Sequence, residues 1–413
     1  MRRTLSSKAR AVLALGAACL LLAGLAACDG EAEAPGPLRI GVLHTSFNDE
    51  IQREMLRSFD LAIKHLNEAG GVFGQPVEVE IVDATTDPEV AVQRARQMVE
   101  ENLPHAIVGG WTSATALALV EQVIAPAGIP MVSPSATSPL LSTANDQDLL
   151  FRTIPVDSSG APVLTQLVRD QGFTNIGVIY RQDPWGSKYA EAFEAAWDGP
   201  IRAVGIDPSQ DSYLGELQES AAGGAEALIP MTFNAEAIVI LREALDNGIY
   251  DQFVLTGPMK DPRTIEAIGS ARLGGMHGIA AVADRTSVSS VAWEEAYVAE
   301  YGGLPVLAYV KETYDAVIAL ALAAQAAGST DGAAIRDQLR VVASGTGEAV
   351  TAGVEGIRRA LEILADGGAV NYEGASTTLD WDANGDLLRG QIGVWRFTED
   401  GQIEEVRVVP FGG

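Results

Sequence analysis

The sequence predicts an α/β protein with two doubly wound, mainly parallel-sheet domains, and three observations carry that prediction. From Leu38 onward short β-rich runs alternate with longer helical periods; the rhythm restarts at a helix from Gly160; and 413 residues favour two domains over one. An apolar fraction of 47% is ample for two cores.

Residues 38–43 read as the first strand. Ile51, Met55, Phe59, Ala62, Ile63 and Leu66 then recur at helical spacing, so one apolar stripe faces a sheet, and Gly70-Gly71 ends the helix. Residues 77–82 alternate as a half-buried or edge strand. Thr86-Asp87-Pro88-Glu89 reads as a capping box with proline in the first turn of a helix that runs to about Glu101. A short buried strand is expected at 106–109, a helix from near Thr112, and the next strand at 130–133. In the second half, helices are expected at 160–170 and 187–197 and strands at 175–180, 227–229, 253–256 and 278–281. Helices at 289–301, 307–327 and 354–366 follow, and strands at 377–380, 392–397 and 403–409 close the chain.

The first 27 residues read as a processing signal. Arg2, Arg3, Lys8 and Arg10 precede an apolar run over 11–23, and Leu25-Ala26-Ala27-Cys28 resembles a lipobox, with Cys28 as the expected lipidation site and first mature residue. Residues 28–37 suit a tether. Cys19 has Gly16 three residues before it and fits less well. Once the signal is removed, Cys28 is the only cysteine left, which closes disulfide, catalytic-thiol and cysteine-zinc readings. The chain holds 28 basic and 55 acidic residues, and loss of the four basic signal residues takes the net charge from −27 to −31. Nucleic acid is therefore excluded as a partner.

The four histidines, His44, His65, His105 and His277, are scattered without metal spacing and are expected to be structural, and no cofactor or metal is expected. No nucleophile elbow, Walker loop or dinucleotide-binding turn occurs. Asp380, Asp382, Asn384 and Gly385 match the first half of a calcium loop, but Gln391 stands where the bidentate acid belongs, so a hairpin turn is expected. Two loops carry more. Residues 109–115, with Trp111, Thr112 and Ser113, follow a buried strand and open a helix, and residues 133–137, Ser-Pro-Ser-Ala-Thr, follow the next strand. At strand carboxyl ends of an open sheet, their hydroxyls and free amides lie where ligands bind. Ordinary helix capping would use the same residues.

From Leu38 to about Val409 the chain resembles the type I periplasmic binding proteins of the branched-chain amino-acid and amide branch. The resemblance rests on Asn67-Glu68-Ala69-Gly70-Gly71-Val72-Phe73-Gly74, Asp83 with Asp87-Pro88, Thr112-Ser113, residues 133–137, Tyr372-Glu373-Gly374-Ala375 and Asp382-Ala383-Asn384-Gly385. It implies two lobes joined by a three-strand hinge, with residues 38–154 and 283–388 in the N-terminal lobe and 155–282 and 389–413 in the C-terminal lobe. It further implies a lipid-anchored extracytoplasmic protein that delivers an amino acid or related small polar ligand to an ABC permease. The resemblance places Ser113 and Thr137 on the ligand carboxylate and the Ser135 carbonyl on the ammonium, with Ala136 in the same loop. Trp185 and Phe233 would form an aromatic wall.

After Thr256-Gly257-Pro258, Met259 stands where leucine-binding members carry a glutamate for the ligand ammonium. Asp261 and Asp183 are the candidate replacements. A ligand without an ammonium, such as an amide, a urea or a small carboxylate, is the alternative, and a ligand-sensing subunit of a signalling system is the other reading on the same fold. An enzyme is not expected.

Overall fold

The computed structural model describes residues 35–45, 49–305, 308–343 and 345–412. The expectations for residues 1–34, Cys28 included, lie outside them. Strands β1 (Arg39–His44), β2 (Glu78–Asp83), β3 (Ala106–Gly109), β4 (Met131–Ser133) and β5 (Leu150–Arg152) form one parallel sheet in the order β2-β1-β3-β4-β5. β3 and β4 are buried along their whole length, as their unbroken apolar runs require, whereas β2 pairs only with β1 and stays largely exposed at the edge. The order reverses direction between β1 and β3, which opens a crevice at the strand carboxyl ends.

The second sheet begins with β6 (Ile176–Arg181), β7 (Ile201–Ile206) and β8 (Ala227–Met231), parallel in the order β7-β6-β8. A parallel bridge from Leu228 to Phe253 joins it to β9 (Val254–Leu255), which pairs in parallel with β10 (His277–Val282). Two antiparallel strands, β13 (Gly390–Phe397) and β14 (Ile403–Phe411), complete that edge. A separate parallel pair, β11 (Glu348–Thr351) and β12 (Val370–Glu373), packs beside the first sheet's core. The chain thus leaves the first sheet after β5, builds the second through β10, returns to the first core with the helix Val288–Tyr301, and crosses again to β13.

The helix Val310–Ala327 is the centre of the larger core. From Glu312 to Ala324 every residue is buried, so its small alanines let surrounding helices approach closely. Among the described residues no single helix is long and apolar enough to cross a membrane.

Several expected boundaries differ. The cap of Pro88–Asn102 is Asp87 itself, whose carboxylate accepts from Glu89 N at 2.8 Å, rather than Thr86. The helix expected from 160 begins at Asp157, and the helix expected from 307 is described from Val310. No strand forms over 377–380. Asp315 takes the amides of Ala375 and Ser376, both at 2.7 Å, and leaves only a single bridge between Glu373 and Thr378. The Asp382 turn is a hairpin turn: its Oδ1 accepts from Asn384 N at 2.7 Å and Asp386 N at 3.0 Å, and Gly385 supplies φ +74°.

Candidate binding site

A cavity of about 830 Å³ opens at the carboxyl ends of both sheets. Ser113, Ser135 and Thr137 line it from the loops after β3 and β4, and Trp185, Phe233 and Asp261 from segments that follow β6, β8 and β9. Six of the eight ligand residues expected from sequence therefore meet at one cavity. Ala136 and Met259 do not line it. Ala136 is fully buried in the first-sheet core with its amide bonded to Ser133 Oγ at 3.2 Å, and Met259 is fully buried in the second-sheet core.

The first wall is built from a tight turn. Gly110 has φ +71°, and a Cβ there would sit 2.9 Å from Ala116 Cβ, so only glycine permits the helix Ser113–Leu119 to start this close to β3. Thr112 caps that helix and exchanges bonds with Thr115 in a capping box, which satisfies the amide of Thr115; the other amides of the first turn have no carbonyl of their own helix to bond. Ser113 Oγ accepts from Ser138 N at 3.1 Å, so its own hydrogen remains to be donated. Ser135 Oγ donates to Trp111 O at 2.7 Å, and Thr137 Oγ1 donates to Asp157 Oδ2 at 2.7 Å, which leaves Thr137 lone pairs to offer.

Arg152, buried at the end of β5, holds this loop in place. It donates to Ser138 O at 2.9 Å and Ser142 Oγ at 2.8 Å while its Nε donates to Asp386 Oδ1 at 2.7 Å.

The second wall is aromatic and ionic. Trp185 stacks on Phe233 with centroids 5.0 Å apart and planes 21° from parallel, and the Arg181 guanidinium lies 4.2 Å above the other ring. Asp183 accepts from the amides of Trp185 and Gly186 and pairs with Arg181 at 2.7 Å; Asp261 caps the helix Pro262–Ile268 and pairs with Arg263. Both acids nominated to replace the missing glutamate are thus already engaged by arginines.

Two other carboxyls are not. Asp157 and Glu312 line the cavity, and no cation lies within ion-pair distance of either among the described residues. Burial pushes each up to about 7; hydrogen bonds from Thr137 and Trp185 and the charge of Arg152 pull Asp157 back only in part. Asp157 three residues before an expected helix looks like an ordinary cap, and its isolation from cations exists only in the tertiary structure.

Two sheets that share a crevice at their strand carboxyl ends, with helix-start hydroxyls on one wall and stacked aromatics on the other, define a solute-binding protein of the type I periplasmic fold. The family model described as periplasmic binding protein matches residues 37–359, and the chain belongs to that family.

It is 27% identical to the chemotactic signal transduction system substrate-binding protein BasB of Halobacterium salinarum over 81% of this chain and 80% of that one. It is also 27% identical to Leu/Ile/Val-binding protein homolog 3 of Brucella melitensis, over 70% of this chain and 77% of the relative. Among solved structures, the leucine-binding protein LivK of Thermotoga maritima superposes with a TM-score of 0.75 at 20% identity, covering 90% of this chain and 98% of its own. The substrate-binding protein LivJ of Streptococcus pneumoniae, in complex with isoleucine, gives 0.73 at 20% identity, with 91% and 100% covered.

Proposed function

We propose that the protein is a lipid-anchored extracytoplasmic binding protein that captures an α-amino acid between two lobes and delivers it to an ABC importer. The observation that carries this reading is the meeting of opposite chemistries where the Thr137–Asp157 bond joins the first wall to the helix Asp157–Asp170. Ser113 and the helix start offer donors for a carboxylate, and beside them Thr137 and Asp157 offer lone pairs and negative charge for an ammonium. Asp157 then does what the glutamate missing at Met259 does in leucine-binding members. The lobes are residues 38–154 with 283–388 and residues 155–282 with 389–413, and ligand contacts from both favour closure. Cys28 anchors the chain through its lipid.

A sensing role on the same fold is supported by the likeness to BasB. The amino-acid reading is tested by calorimetric titration with the standard L-amino acids, followed by the best ligand stripped of its amine or of its carboxylate. Each stripped analogue is expected to bind at least about a hundredfold more weakly. Equal binding of the amine-free analogue would replace this reading by the amide or carboxylate one.

A further inference from the structure

The geometry points to Lys260 as the residue that selects the ligand's side chain, and the class it selects is an α-amino acid ending in a second carboxylate. This rests on the amino-acid reading above. Five basic residues line the cavity: Arg181, Lys260, Arg263, Arg285 and Lys311. Four of them are held by protein carboxylates at hydrogen-bonding distance. Arg181 meets Asp183 at 2.7 Å, Arg263 Nε meets Asp261 at 2.9 Å, Arg285 meets Glu294 at 2.9 Å, and Lys311 meets Glu294 at 2.8 Å.

Lys260 differs. Its nearest carboxylate oxygen, on Glu405, is 3.9 Å from Nζ, too far for a hydrogen bond, and Nζ has no other acceptor among the described residues. Glu405 is itself 39% exposed on the edge strand β14, so water screens what attraction remains.

The backbone fixes where this ammonium goes. Met259 is fully buried in the second core, and Lys260 N donates to Gly257 O at 3.0 Å to close the short helical turn Gly257–Met259, so the side chain after that anchor is directed into the cavity. Lys260 lies in the loop after β9, whereas Ser113 and Thr137 line the first wall and Asp157, at the start of the helix Asp157–Asp170 on the second core, meets that wall through its bond with Thr137. A ligand whose α-groups sit between Ser113, Thr137 and Asp157 extends its side chain into the rest of the cavity, which Lys260 lines. An aliphatic side chain would cover the Lys260 ammonium without giving it a counter-charge, which is costly; a carboxylate supplies a charge-assisted hydrogen bond. Burial already depresses the Lys260 pKa, with the Glu405 charge opposing that fall only in part.

The test is calorimetric titration of the full mature chain with two isosteric pairs, L-glutamate with L-glutamine and L-aspartate with L-asparagine, and with L-leucine. The acid of one pair is expected to bind roughly ten- to a hundredfold more tightly than its amide and than leucine. Lys260→Gln should erase that difference, and Lys260→Arg, which keeps the charge, should retain it. A wild-type chain that binds an amide or leucine at least as tightly as either acid overturns the acidic-ligand assignment and leaves the amino-acid reading standing. A preference for the acid that survives Lys260→Gln overturns the role of Lys260. Failure of every amino acid to bind overturns both.

Discussion

Ser138 ties the two walls of the cavity together: its hydroxyl donates to the carbonyl of Pro184 at 2.6 Å, while its amide donates to Ser113 Oγ. The loop after β4 thereby touches the turn that presents Trp185, and one residue links the Ser113 hydroxyl to the aromatic wall. Ser138→Ala removes a buried hydrogen bond worth about 1 kcal/mol to this arrangement. Ligand affinity is expected to fall about fivefold, with a larger radius of gyration by small-angle scattering before ligand is added.

Ser113→Ala and Thr137→Ala separate binding from capping. Loss of a hydrogen bond to a charged ligand group weakens affinity by roughly ten- to a hundredfold. Thr112, not Ser113, is the cap of the helix, so the melting temperature of Ser113→Ala should drop only by the amount that Ser138 N loses. Calorimetric titration alongside thermal melts distinguishes the two effects. A lower melting temperature with unchanged affinity in both variants removes these residues from the site.

The ionisation of Asp157 sets a pH dependence of binding. With its carboxyl at about 7, pairing with an ammonium requires a proton to leave, so affinity should fall by up to about tenfold per pH unit below 7. Asp157→Asn should bind weakly at both pH 6 and pH 8, with the slope gone. Glu312, which lines the same cavity and is also pushed up to about 7 by burial, is the group that could mimic this, so Glu312→Gln should leave the slope in place; Arg152 is committed to Asp386, and the hydroxyls of Tyr189 and Tyr309 are raised above the ordinary range by burial.

Stability without ligand should run the opposite way. Asp157 and Glu312 rise from 3.8 and 4.5 to about 7 on folding, so between those values the folded chain binds more protons than the unfolded one. Their contribution is present at low pH and is lost as pH rises through about 7. Asp157→Asn and Glu312→Gln are each expected to raise the melting temperature at pH 8 by a few degrees more than at pH 5, measured by scanning calorimetry.

The anchor is tested at Cys28. Cys28→Ser should release the protein from membranes on fractionation, and mass spectrometry of the native N-terminus should show a diacylglycerol. Unchanged fractionation together with an unlipidated Cys28 would exclude the lipoprotein assignment.

Regular elements were legible where periodicity was unbroken. The stripe from Met55 to Leu66 and the apolar runs at 106–109 and 227–229 each became the element expected of them. The strands Leu150–Arg152 and Ile201–Ile206 were not legible, one because three residues carry no period and the other because Arg202 and Gly205 dilute an edge strand that is only partly buried. In the site, Trp111 to Ser113 and residues 133–137 could be read because helix starts after strands have a local signature. Asp157, Lys260 and Glu312 could not, since what marks them is the partner each one lacks, and partners come from distant segments.

The route of the chain through the two sheets governs what can be cut away. Because it passes between them after β5, after β10 and again before β13, no single continuous fragment contains either half intact: removing residues 390–412 strips β13 and β14 from the second sheet, and ending at β10 deprives the first core of the helix Val310–Ala327. One proteolytic nick would leave two interlocked pieces rather than two free domains. Insertions and fusions are therefore expected to be tolerated at exposed turns such as Gly302-Gly303, and simple truncation is not.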